Sequence, residues 1–299
     1  MTLHIHGTIV TQYGVAANNR AENEGNITTL QKILWNGELH SSVSAEAIRF
    51  ALRLLWQKKY DETQDDLVRV NRRWNEEKQD FDFEDLSFSA ETYIDDDVMG
   101  YMNAEAPKEE KEDSKKGGRA KGTTTARRGA LEVSRAVSLY PYFGETTFNA
   151  RGGEKGRTSL YGSEVHATSY QYSFSLTPTE LKRPERAKHV LEAFCSLNQV
   201  GGNHGRFLYD FSPLVVLFRV THDPAPRILY IFEQEIGEPL RMGKLIERVN
   251  AGDIDAEELI LGGSMPKEET EWLKEQGAVV VPGVKQALAE ACERITKRG

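Results

Sequence analysis

The stretch VHATSYQYSFSL, Val165 to Leu176, alternates residue by residue. Val165, Ala167, Ser169, Gln171, Ser173 and Ser175 fall on one side; His166, Thr168, Tyr170, Tyr172, Phe174 and Leu176 fall on the other. A period of two over such a length is that of a β-strand, and the aromatic run on one side requires a sheet with a buried face. LHIHGTIV, Leu3 to Val10, alternates in the same way. PLVVLFRV from Pro213 and RILYIF from Arg227 read as two further buried strands.

Helical signals fall between these strands. Ser44 is placed to cap a helix whose apolar stripe is Ile48, Ala51, Leu52, Leu55 and Trp56. Pro184 opens another at its first turn, with Val190, Leu191, Phe194 and Leu197 as the stripe and Gly201-Gly202 as the stop. Ile27 to Trp35 reads as a short helix. The predicted fold class is therefore α+β, a sheet with helices over one face. After residue 238 the chain reads as helix, strand (ELILGG), helix, strand (AVVV), helix, with a βαβ unit within it.

Charge is unevenly spread. The net charge is −8, which speaks against a general polyanion binder. Yet Lys115 to Arg135 carries seven basic residues against Glu132 alone, with Tyr140, Tyr142, Phe143 and Phe148 just beyond. Cations interleaved with aromatics suit a single-stranded nucleic acid, whose backbone needs charge and whose bases need stacking. Residues 103–122 lack apolar periodicity and read as a mobile tip. MTLHIHG has neither a basic nor an apolar leader segment, and no apolar run is long enough to span a bilayer, so a cytoplasmic protein is expected. Cys195 and Cys292 read as two buried small hydrophobes rather than as a disulfide.

Several motifs bear on chemistry. His4 and His6 have metal-ligand spacing, but no acid or cysteine is placed to complete a site, so a structural pair is expected. AANNRAENEGN, Ala16 to Asn26, reads either as a turn-rich surface loop or as amide and guanidinium contacts to phosphate. GGNHGRF, Gly201 to Phe207, is either a helix stop with a turn or a glycine loop approaching phosphates. Nucleophile elbow, Walker loop, H-E-x-x-H and paired cysteines are missing from the sequence.

Five ordered blocks together carry a resemblance: LHIHGTIVTQYGVAANNRAENEGNITTLQK, SAEAIRFALR, TTFNARGG, YGSEVHATSYQYSFSLTP and GGNHGRFLYDFSP. They resemble the CRISPR-associated backbone subunit of the DevR-like autoregulator family, within the RAMP superfamily, found in subtype I-B Cascade complexes. The resemblance implies a modified RRM (ferredoxin-like) palm over residues 1–59 and 127–237. It also implies a helical finger insertion over 60–126 and a thumb excursion near 144–162. Residues 238–299 would be a C-terminal α/β extension packed on the palm.

The resemblance further implies a head-to-tail filament along a CRISPR RNA, with guide bases presented to target DNA and with other Cascade subunits as partners. The guide-contact candidates are Asn18, Asn19, Arg20, Asn26, Arg49, Arg53, Arg127, Arg128, Phe148, Arg151, His166, Gly202, Asn203, His204 and Arg206. Glu22 and Glu24 would repel phosphate and are expected to point away. Cleaving relatives carry an Asp in the loop after the first strand, and this chain has none between Thr11 and Val43. A non-catalytic scaffold without metal or cofactor is therefore expected. A metal-dependent ribonuclease and a DNA-binding transcriptional regulator are the alternatives.

Overall fold

A computed structural model describes residues 1–104, 124–151, 159–202 and 208–298. The chain opens with β1 (His4–Thr11), β2 (Gly14–Ala16) and β3 (Arg20–Glu24). Next come β4 (Ile27–Leu30), β5 (Lys32–Trp35), β6 (Glu38–Val43) and helix α1 (Ala45–Thr63). An insertion follows, built of β7 (Arg72–Asn75), β8 (Asp80–Phe83), α2 (Ile94–Val98), β9 (Gly100–Ala104) and β10 (Thr124–Arg128). The chain continues through β11 (Leu131–Val133), β12 (Ala136–Ser138), β13 (Glu145–Arg151), β14 (Ser159–Thr168), β15 (Tyr170–Leu176) and α3 (Arg186–Cys195). It ends with β16 (Pro213–Thr221), α4 (Gly243–Asn250), β17 (Leu259–Gly263), α5 (Lys267–Glu275), β18 (Val279–Val281) and α6 (Val284–Arg298).

The main sheet runs β18-β17-β16-β1-β15-β12-β6-β5, with β11 also on β15. Its centre, β16-β1-β15-β12, joined through α1 and α3, has the connectivity of a βαββαβ unit. Alternation decides what each face buries. Ile5, Ile9, Tyr172, Phe174, Val216 and Phe218 face α1, α3 and α6 and meet Leu52, Trp56, Val190, Phe194 and Ala287. The rings of Phe174 and Phe194 stack at 4.2 Å. Gly7 makes room for that pair, since a Cβ there would stand 2.3 Å from Phe174 Cε1.

The opposite face is buried as well. Val10, Val215, Leu217, Leu259 and Leu261 lie beneath Ile228, Ile231, Phe232, Leu245 and Leu273. Thr8 Oγ1 donates to the Ile228 carbonyl at 2.6 Å, and Gln171 bonds both the N–H and the C=O of Phe232. The expectation of helices over one face alone is thus incomplete.

Four local expectations need correction. RILYIF is not a strand: Arg227 and Tyr230 adopt left-handed φ values of 54° and 51°, and Ile228, Ile231 and Phe232 form a lid over the sheet. Ile27 to Trp35 is not a helix but β4 and β5, in keeping with the β-branched Ile27, Thr28, Thr29 and Ile33. The alternating stretch Val165–Leu176 breaks at Ser169, where the chain passes from a second sheet into the main one. The 60–126 insertion, expected to be helical, consists in its described part of the end of α1, two hairpins, a single 3₁₀ turn and the five-residue α2. Its expected mobile tip lies outside the described residues from 105 onward.

Other expectations match the described structure. Ser44 Oγ accepts from the Ala47 N–H and caps α1. The C-terminal βαβ unit is present, and β17 pairs with β16, so these strands continue the main sheet itself. Cys195 and Cys292 are free, as expected, but half-buried rather than buried on α3 and α6. No helix among the described residues is long and apolar enough to cross a membrane.

Candidate nucleic-acid interface

The stretch Ala16 to Asn26 is a hairpin arm rather than a loop. After β2, Asn18 and Asn19 turn the chain into β3, which pairs with β4. β4 then runs parallel to β14, placing Ile27 beside Gly162 and Thr28 beside Ser163. β13-β14-β4-β3 thus forms a second sheet, with β2 also on β14. Two stretches far apart in sequence, the Asn-rich arm and the Gly/Thr/Arg-rich excursion, become one surface. Gly162 permits the join: a Cβ there would stand 3.0 Å from Ile27 Cγ1.

Asn18 and Asn19 are corrected from phosphate contacts to structural residues. They are 2% and 8% exposed. Asn18 Nδ2 donates to the Val200 carbonyl at 2.6 Å, and Asn19 Nδ2 to the Ser42 carbonyl at 3.0 Å. The Asn19 N–H donates to the Gly201 carbonyl at 3.1 Å, and Asn19 takes a left-handed φ of 62°. Gly201 itself has φ of 72°, and a Cβ on it would come within 3.0 Å of Asn19 N. The two asparagines therefore clamp the glycine segment against the start of β3, bringing exposed Gly202 and exposed Arg20 to one edge. Asn203, His204 and Arg206 lie outside the described residues.

A bulge decides where Arg20 points. Arg20 pairs with Leu30, but Asn23 pairs with Thr28, so β3 carries one extra residue between them. Arg20 and Asn23 thereby share a face, while Glu24, opposite Ile27, falls on the other. Arg20 has no ion pair among the described residues. Asn26 is exposed, and its Nδ2 donates to the Leu160 carbonyl at 2.8 Å, tying the two hairpins together. Phe148 is 72% exposed on β13, and Arg151 is that strand's last residue.

Four other arginines have partners within the chain. Arg49 donates to the Met99 carbonyl, and buried Arg53 pairs with Asp95 at 3.2 Å. Arg127 pairs with Asp97 at 2.7 Å and Arg128 with Glu132. Buried Arg53 is thereby corrected from support for a guide-facing surface to an anchor of the insertion; Arg49, Arg127 and Arg128 flank the insertion and stay partly open to solvent.

His166 is also corrected. It is 6% exposed. Its Nε2 lies 3.1 Å from the Pro141 carbonyl and so donates, which leaves Nδ1 to accept from the Ser41 hydroxyl at 2.7 Å. Burial holds its pKa down to about 4, so near neutrality it offers no charge to a phosphate. Because the folded value lies below the ordinary 6.5, this contribution to stability is complete above pH 6.5 and is lost as pH falls toward 4. The loss amounts to about 3 kcal/mol. His6, also held down to about 4 by burial, adds a parallel loss. Denaturant titrations between pH 7 and 4 should show stability falling with pH. His166→Gln should remove about half of the histidine part of that slope; an unchanged slope would contradict the assignment.

Sequence reasoning did not find Glu164. Its carboxylate accepts from the Leu30 N–H at 2.7 Å and from Lys32 Nζ at 2.6 Å, pinning β14 where the chain bends from β4 into β5. Lys32 Nζ also lies 4.7 Å from the Tyr142 ring centre. No local spacing signals a contact between residues 32 and 164.

The model of the CRISPR-associated negative auto-regulator DevR/Csa2 family matches residues 6–198. A CRISPR-associated protein Cas7/Cst2/DevR of Myxococcus xanthus (strain DK1622) is 46% identical over 320 aligned positions, covering 100% of this chain and 99% of the relative. Among solved structures, a chain of a CRISPR RNA-guided surveillance complex, pre-nicking, superposes with a TM-score of 0.58 at 11% identity. That match covers 96% of this chain and 100% of the other. A chain of a CRISPR RNA-guided surveillance complex gives 0.54 at 14% identity, covering 97% and 100%. At those identities the likeness shows a shared fold.

Proposed function

The chain belongs to the CRISPR-associated DevR/Csa2 family, and from that premise we propose that it is a guide-RNA-binding backbone subunit of a type I CRISPR surveillance complex. In this reading β16-β1-β15-β12 with α1 and α3 is a modified RRM palm, residues 60–126 are the finger, and residues 144–162, within β13 and β14, are the thumb. Copies assemble head to tail along the RNA, and guide bases remain open to target DNA.

One observation carries the proposal. Arg20, Gly202 and the β13–β14 hairpin, which the family resemblance names as guide contacts, fall on or beside one second sheet. The closed main sheet supports it. An RRM stacks bases on the open face of its sheet, but here Thr8, Val10, Gln171 and Leu217 lie beneath the Ile228–Phe232 segment. The guide therefore follows the periphery, where backbone contacts predominate and base edges stay free.

The subunit acts as a scaffold rather than a nuclease. The first-strand connection has no Asp, and the bulge turns Glu24 away from the face of Arg20. Gel-shift titrations should show binding to single-stranded RNA in preference to duplex DNA. The RNA should stay intact with Mg²⁺ or Mn²⁺. Cleavage lost in Glu22→Ala, or sequence-specific duplex binding without RNA, would sink this reading.

A further inference from the structure

A cleft of about 520 Å³ lies between Tyr13, the β12–β13 connection, the end of β14 and residues 234–238. That is the size of a small-molecule site. Its aromatic lining is Tyr13, Tyr140, Tyr142 and Phe143. The Tyr13 and Tyr140 rings stand 6.1 Å apart at 83°, so they present two walls nearly at right angles. Tyr13 and Phe143 are 63% and 74% exposed, which leaves both rings open to a ligand.

The charge of the cleft has one sign. Glu145 and Glu238 line it, neither in an ion pair among the described residues, and no described lysine or arginine joins them there. His166 lines it too, but burial holds its pKa down to about 4, so near neutrality it is uncharged. A phosphate would meet only acids and rings. Aromatic faces beside carboxylates are what recognises an alkylammonium cation.

The protein already makes this contact once, next to the cleft. Lys32 Nζ is bonded to Glu164 at 2.6 Å and stands 4.7 Å from the Tyr142 ring centre, an ammonium shared by a carboxylate and a ring. The cleft offers the same pair of groups without a described ammonium between them. The Tyr142 hydroxyl donates to the Glu145 carbonyl at 3.3 Å, which keeps that residue beside the ring. Glu145 begins β13 and Glu238 lies in a separate segment, with Val165, Leu214 and Ile236 also in the walls. Two carboxylates on different segments, with apolar walls, suit two ammonium groups joined by methylenes.

We propose that this cleft binds a linear aliphatic polyamine, its ammonium groups at Glu145, Glu238 and the ring faces and its methylenes against the apolar walls. The inference does not rest on the guide-binding reading.

Calorimetric titration of spermidine into the full chain, stripped of nucleic acid by high salt, tests it. One saturable site should appear, and it should persist when ionic strength is matched with NaCl. Glu238→Gln should weaken it about fivefold, and Tyr13→Leu, which keeps apolar bulk but removes the ring, about as much. Butylamine, with a single ammonium, should bind more weakly than spermidine. Glu76→Gln with Glu77→Gln removes more charge but lies away from the cleft, and should leave binding unchanged. No saturable binding, binding abolished by matched NaCl, or equal loss in the Glu76/Glu77 protein would each overturn the proposal. So would a Tyr13→Leu protein that loses multimers yet binds spermidine as before, because the cleft would then belong to a protein contact.

Discussion

Replacing Arg186 by alanine is expected to lower the unfolding free energy by about 3–5 kcal/mol, which for a chain of this size is a fall in melting temperature on the order of 10 °C. Arg186 and Asp97 both have fully buried side chains, 3.0 Å apart. The guanidinium also donates to the carbonyls of Ala90, Glu91 and Thr92 at 2.6, 3.2 and 2.8 Å. The other Asp97 contacts are Arg127 at 2.7 Å and the N–H groups of Lys182 and Arg183. Removing the guanidinium leaves three inward carbonyls and half of a carboxylate without a donor. Such orphaned groups bear the full cost of desolvation. Arg128→Ala is the contrasting case. Its pair with Glu132 is exposed on both sides, and exposed pairs contribute about 0–1 kcal/mol. Chemical denaturation of the two variants should separate them clearly. An Arg186→Ala protein within about 1 kcal/mol of the parent would contradict this account of the buried cluster.

The same cluster shows where sequence reading stops. Asp95, Asp96 and Asp97 are three consecutive carboxylates, yet they are 1%, 1% and 0% exposed. Asp95 is held by Arg53 and by the N–H groups of Asn71 and Arg72, and Asp97 by Arg186. Those partners lie on other elements, so no local pattern announces them. Asp96 forms no ion pair with an arginine among the described residues, and burial, with Asp95 beside it, pushes its carboxyl up to about 6.

Signals that depend on near neighbours were legible. The Ser44 cap, the β15 alternation and the C-terminal βαβ unit all rest on spacings within one element. The lid of Ile228, Ile231 and Phe232 was not, because an apolar run states that it is buried without stating its backbone form. At the candidate interface, residue types singled out segments that the fold brings together at the second sheet, but not the part each residue plays there. Asn18 and Asn19 look like ligand amides in sequence; burial and their backbone partners make them a clamp. Arg20 gained its place from a bulge that no composition reveals.

Arg20→Glu is expected to produce the largest loss of RNA affinity among substitutions in the described residues. Removing one phosphate contact should lower the slope of log K against log salt by about 0.7 for a single strand. An affinity loss of about tenfold corresponds to about 1.4 kcal/mol, and reversing the charge should exceed it. Arg53→Ala, which breaks a buried pair elsewhere, should destabilise the fold while leaving the salt slope unchanged. Binding measured across a salt series distinguishes the two effects. Equal slopes for Arg20→Glu and the parent would remove Arg20 from the guide path.

A chain that holds a guide RNA along its second sheet should keep that RNA through purification. Co-expressed with a CRISPR array and its partner subunits, it should be recovered as multimers, and sequencing of the retained nucleic acid should read repeat-spacer RNA. A monomer free of nucleic acid, or one retaining duplex DNA without RNA, would contradict guide binding.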